Sequence, residues 1–96
     1  MGYEVIFKKR FANNLLNVVT YLEKEWGKKV TDEFMDKING AVNSLKLHPY
    51  IGAPSKKIKD ARGLLITPHN RLFYRVTKNK IIFISLADTR KKNYYH

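Results

Sequence analysis

Arg71 and Arg75 stand four residues apart in the segment Arg-Leu-Phe-Tyr-Arg-Val (71–76), with Phe73 midway between them. In a β-strand, alternation places all three side chains on one face. A guanidinium can grip a phosphate through two parallel N–H bonds, and a neighbouring aromatic ring can stack on an unpaired base. The same pairing of cations and rings recurs in the tail over residues 88–96, where Arg90, Lys91 and Lys92 precede Tyr94, Tyr95 and His96. A third basic group lies between them and the first half, at Lys56, Lys57, Lys59 and Arg62. Lys56, Lys57, Lys59, Arg62, Arg71, Arg75, Lys91 and Lys92 are therefore the candidate contacts to nucleic acid. Packing of Phe73 and the tyrosines on a sheet is an equal reading of the rings.

The charge distribution favours a polyanionic partner. The 96 residues carry a net charge of +11. Residues 1–49 hold eight basic and six acidic residues, whereas residues 50–96 hold eleven basic residues and only Asp60 and Asp88. Solubility needs surface charge but not charge of one sign, so a one-signed half points to nucleic acid first and an acidic protein second. There is no cysteine, which excludes disulfides and thiolate metal sites and fits a cytoplasmic location. His48, His69 and His96 are scattered, with no carboxylate cluster beside them, so no metal is expected. No glycine-rich phosphate loop is present, and no cofactor is expected. No apolar run approaches a membrane span, the start MGYEVIFKKR does not read as a signal peptide, and Ile6 stands where a myristoylation motif wants Ser or Thr.

The length allows one domain over 1–96, and 44% hydrophobic residues with 12% aromatics suit a folded one. Residues 3–7 alternate around Val5 and predict a first strand. Phe11, Leu15, Val18, Val19, Leu22 and Trp26 fall on one helical stripe over 11–26, closed by Gly27 as C-cap. A second helix is expected from an N-cap at Thr31, with Val30, Phe34, Ile38, Ala41, Val42 and Leu45 as its stripe, stopping before His48-Pro49. Gly40 inside it costs about 1 kcal/mol relative to Ala, which a close helix–helix crossing would explain. The short link at Gly27-Lys28-Lys29 makes the two helices an antiparallel hairpin. A loop over 48–61 follows, then strands over 62–67, 70–77 and 80–87. Leu72, Tyr74 and Val76 point one way, and Arg71, Phe73 and Arg75 the other. Lys78-Asn79 is read as a two-residue turn with Asn79 suited to positive φ, and the strand after it, apolar on both faces, as central. The expected fold is α+β with two layers, β-α-α-β-β-β, the helical hairpin packed on one face of an antiparallel sheet.

The order of these pieces resembles the RelE/ParE superfamily of type II toxin–antitoxin toxins. Glu25-Trp26-Gly27 at the helical joint, His48-Pro49 with Gly52-Ala53-Pro54 after the second helix, ITPHNRLFYRV (66–76) and IIFISLADTR (81–90) carry the likeness over about residues 3–92. The resemblance implies a growth-inhibiting toxin held inactive by an acidic antitoxin in a hetero-oligomeric complex. RelE-like members cleave mRNA in the ribosomal A site; ParE-like members poison DNA gyrase. The favoured expectation is ribosome-associated mRNA cleavage by a metal-independent endoribonuclease. The alternatives are ParE-like inhibition of gyrase without catalysis, and a nucleic-acid-binding relative without toxicity.

Metal-free RNA cleavage needs a base for the ribose 2′-hydroxyl, a cation for the transition state and an acid for the leaving oxygen. The resemblance makes Arg71 the cation. His69, Arg90, Lys91, Tyr94, Tyr95 and His96 remain as candidates for the other roles. RelE carries lysines on the strand before the arginine, where this chain has Leu64, Leu65 and Ile66. The glutamate base of the YoeB branch has no counterpart here either. A solvated turn histidine, and an arginine lying over Phe73 and pairing with Asp88, are the plainer readings of His69 and Arg71.

Overall fold

The computed structural model describes residues 2–89. Strand β1 (Glu4–Phe7) leads into helix α1 (Lys9–Trp26), and helix α2 (Lys28–Leu47) returns beside it. Strands β2 (Ala53–Pro54), β3 (Arg62–Thr67), β4 (Asn70–Val76) and β5 (Lys80–Asp88) complete a five-stranded sheet in the order β1-β5-β4-β3-β2. Two helices on one face of a sheet give the expected α+β two-layer fold.

The sheet is mixed rather than wholly antiparallel. β1 pairs parallel to β5, Glu4 opposite Lys80 and Phe7 opposite Phe83. β2 adds a short edge strand inside the segment read as a loop, with Ala53 opposite Gly63 and Pro54 opposite Arg62. β5 lies between β1 and β4, the interior place that its apolar run predicted. It is also longer than β1, so its edge beyond Phe83 faces α1 instead of a strand. There Asn14 accepts the Leu86 N–H at 3.0 Å and supplies the partner that a buried backbone donor requires.

Phe11, Phe34, Ile38, Leu45, Leu72, Tyr74, Ile81, Phe83 and Leu86 form the buried core between helices and sheet. Phe7, Phe11 and Phe83 meet there with ring centroids 5.2–5.4 Å apart, the stacked and edge-on spacing that aromatic quadrupoles favour. Leu15, Val18, Val19 and Leu22 continue the α1 stripe against this core. Trp26 does not: it is 65% exposed at the helix end, where the stripe runs past the sheet.

Both helices share Gly27. Its N–H bonds the Leu22 carbonyl and closes α1, while its φ of 88° and ψ of −178° turn the chain straight into α2. α2 therefore begins at Lys28, earlier than Thr31. The Thr31 hydroxyl is buried and donates back to the Gly27 carbonyl at 2.9 Å, so it is not an N-cap. Gly40 is exposed, and a Cβ there would meet nothing within 4 Å, so no close helix crossing demands it. The Lys78-Asn79 turn is closed by the Thr77 N–H on the Lys80 carbonyl. Asn79 does not take positive φ; Asp60, at 59°, is the one non-glycine described residue that does.

Candidate functional site

The face of the sheet away from the helices carries the second side-chain set of each strand. β4 supplies Arg71, Phe73 and Arg75, β3 supplies Gly63 and Leu65, and β5 supplies Ala87 and Ser85, paired with Arg71 and Phe73 respectively. The pairing skips Ile84 between Phe83 and Ser85. This bulge lets β5 keep both Phe83 and Leu86 in the core.

A hollow of about 460 Å³ opens on this face, lined by Pro54, Ser55, Lys56, Lys57, Gly63, Arg71, Phe73, Ala87 and Thr89. Its charged side chains are all basic: Lys56, Lys57 and Arg71. Arg71 is half-buried, and its guanidinium has no hydrogen-bond partner among the described residues. Ser55 Oγ accepts the N–H groups of Lys57 and Ile58, both at 3.0 Å, so its own hydrogen is available to donate. These bonds fold the start of the 55–61 loop into a tight turn, and the Ser55 N–H on the Ala61 carbonyl closes its base at 2.8 Å. Lys56 and Lys57 are thereby carried to the rim of the hollow. Such a set can seat an oxyanion.

The other cations are placed differently. Arg62 lies half-buried and donates to the carbonyls of Gly52 at 2.7 Å and Tyr50 at 3.3 Å, with its guanidinium 5.0 Å from the Tyr50 ring centre. Arg75 donates to the Lys59 carbonyl at 2.8 Å and ties the basic loop to β4. Lys59 is exposed on that loop. Phe73 is only 8% exposed, so it forms the floor of the hollow rather than an open platform for a base. His69 is exposed in the β3–β4 turn and does not line the hollow. Its N–H bonds Thr67 Oγ1 and its carbonyl accepts the Thr89 N–H. Arg90, Lys91, Lys92, Tyr94, Tyr95 and His96 lie outside the described residues.

Sequence reasoning passed over the latch beneath this face. The Tyr74 hydroxyl, fully buried, donates to the Pro49 carbonyl at 2.8 Å and accepts the Gly52 N–H at 2.9 Å. Burial pushes its phenol above the ordinary value, against the opposing pull of the Gly52 N–H and the Arg62 charge. A Cβ at Gly52 would fall 2.7 Å from that hydroxyl. The signal was present as Gly52 between Pro49 and Pro54, but nothing local connects it to a tyrosine 22 residues away. Among the described residues no group of His, Cys, Asp or Glu is placed to hold a metal ion, and no helix is long and apolar enough to cross a membrane.

Residues 5–93 match the family model of the ParE toxin of the type II toxin–antitoxin system parDE. The chain belongs to the ParE toxin family. Solved structures share its fold at low identity. The chromosomal ParDE system of P. aeruginosa has a chain similar at a TM-score of 0.76 and 16% identity, covering 90% of this chain and 95% of that one. The DinJ–YafQ toxin–antitoxin complex of E. coli matches at 0.65 and 14%, covering 94% and 96%. An E. coli RelE mutant in the free state matches at 0.62 and 18%, covering 99% and 92%. No curated protein matches the sequence. The family match bears out the RelE/ParE resemblance read from the motifs at 66–76 and 81–90, and the solved structures share the fold.

Proposed function

We propose that this ParE-family toxin arrests growth by binding DNA gyrase rather than by cutting RNA, and that the open-face hollow grips a phosphate of the DNA that gyrase holds. One observation carries the choice. The β3 side chains that share the open face with Arg71 are Gly63 and Leu65, and Leu65 pairs directly with it. Neither can take or give a proton, so the position where RelE-like nucleases carry lysines offers no acid–base group. What the hollow does offer is a guanidinium, lysines on the neighbouring loop and a hydroxyl donor, a set suited to binding an oxyanion.

Ribosome-dependent mRNA cleavage is the second reading, and the Arg71 guanidinium, with no hydrogen-bond partner among the described residues, favours it, since a phosphate in transit to a phosphorane needs such a cation. One expression experiment separates the two. Induced cells should accumulate gyrase–DNA cleavage complexes and an SOS response while transcripts stay whole. Fragmented transcripts with unaltered supercoiling would overturn the proposal in favour of the nuclease. Under either reading an acidic antitoxin is the proposed partner: the solved relatives include toxin–antitoxin complexes, and the C-terminal half carries nearly all of the net positive charge.

A further inference from the structure

We infer that Gly63 is a positioning residue for Arg71: by leaving β3 bare at one point, it lays the guanidinium across the strand toward Ser55 and fixes where the hollow holds an oxyanion. The inference rests on the reading of the hollow as the phosphate grip, and goes beyond it in naming what aims the grip.

A glycine inside a strand weakens it, because it packs no side chain and loses more backbone freedom on folding. Gly63 is buried in β3 and pairs with Phe73 on β4 and Ala53 on β2. Its φ is not positive, so the backbone there does not require glycine. Space does. A Cβ at this position would lie 3.3 Å from Arg71 Cδ, 3.4 Å from Phe73 Cε1 and 3.5 Å from Arg71 Nη1. The arginine's stem and one guanidinium nitrogen therefore both pass over Gly63.

Arg71 pairs directly with Leu65, two residues further along β3. Its side chain thus leans diagonally over β3 instead of standing out from the sheet. The lean carries the guanidinium into the hollow that Ser55, Lys56 and Lys57 border. The Phe73 ring closes the space below and shields the stem from water. A β-branched residue at 63 would fill the path, and the flexible arginine would swing out to solvent, where it pays side-chain entropy to bind anything.

The test compares Gly63→Val, Gly63→Ala, Arg71→Ala and the double variant Gly63→Val/Arg71→Ala in the full chain. Affinity for a short DNA duplex is read by fluorescence anisotropy at several salt concentrations. Arg71→Ala should weaken binding roughly tenfold or more, the range for a charge-assisted hydrogen-bond pair, and lower the salt slope by about one contact. Gly63→Val should reproduce both effects, add little to Arg71→Ala in the double variant, and abolish the nuclear Overhauser contact between Gly63 Hα and Arg71 Hδ. Gly63→Ala, in which Arg71 has to give by only a few tenths of an ångström, should fall between and guards against misfolding of the valine variant. Full affinity in Gly63→Val alongside a weak Arg71→Ala overturns the positioning role and leaves the grip standing. An equal loss from Gly63→Val with or without Arg71 makes the effect one of strand stability and overturns it too. Arg71→Ala without effect removes the hollow from the interface, and the inference with it.

Discussion

Tyr74 shows how a single side chain here does a structural task that its sequence neighbours disguise. It sits between Phe73 and Arg75, in the segment that reads as a nucleic-acid contact, yet its hydroxyl turns inward to Pro49 and Gly52. Tyr74→Phe keeps the ring and strands a buried N–H and a buried carbonyl. Denaturant unfolding should register a loss of about 1–3 kcal/mol, the cost of leaving such groups unpaired. The same residue sets an alkaline limit. Its folded pKa is raised above the ordinary value of 10.0, so the native state holds the phenolic proton more tightly than the unfolded chain does. That contribution is complete below about pH 10 and is lost as pH rises through the folded value. Unfolding measured from pH 8 to 11 should show stability dropping above pH 10, and Tyr74→Phe should flatten that drop. An unchanged slope in the variant would assign the alkaline loss to other groups. At this scale Arg71 was legible from its alternation with Leu72, but its lack of a hydrogen-bond partner among the described residues was not, because Arg62 and Arg75 look identical in sequence and are tied to backbone carbonyls.

At the level of elements, two glycines in the helical hairpin make opposite predictions. Gly27 has φ of 88° and ψ of −178°, a region essentially closed to other residues. Gly27→Ala should cost about 1–3 kcal/mol although its Cβ would touch nothing. Gly40 is helical and exposed, with open space around it. Gly40→Ala should therefore stabilise by about 1 kcal/mol and raise the thermal midpoint by roughly 4–8 °C for a chain of this size. A midpoint that stays or falls would overturn the reading of Gly40 as an ordinary exposed helix position. These helices and the three C-terminal strands were legible because their apolar periodicities, 3.6 and 2, follow from burial on one face. Three features were not. The parallel pairing of β1 with β5 joins Glu4 to Lys80, across most of the chain, which no local pattern encodes. β2 is two residues long and has no period to show. The β5 bulge at Ile84 changes which face later residues take, and an unbroken apolar run hides the change.

For the whole molecule, the uneven charge becomes a measurable binding law. Nearly all of the net charge of +11 lies beyond residue 49, and the fold gathers Lys56, Lys57 and Arg71 around one hollow on the face the helices leave open. Each phosphate neutralised releases counterions, so log affinity should fall linearly with log salt by about 0.9 per contact on duplex DNA. Three contacts from the hollow alone predict a loss of about 40-fold between 50 and 200 mM salt, and any contribution from Arg90, Lys91 and Lys92 would steepen it. Titrating a labelled duplex at four salt concentrations gives the slope directly. A slope near zero would mean the cations serve the antitoxin alone. Saturating the toxin with its acidic antitoxin supplies the second half of the measurement. If the antitoxin's carboxylates take the same cations, duplex affinity should collapse in the complex and the residual salt slope should shrink with it. If the slope persists at full strength, the antitoxin must silence the toxin from the helical side, and the hollow stays open in the inhibited state.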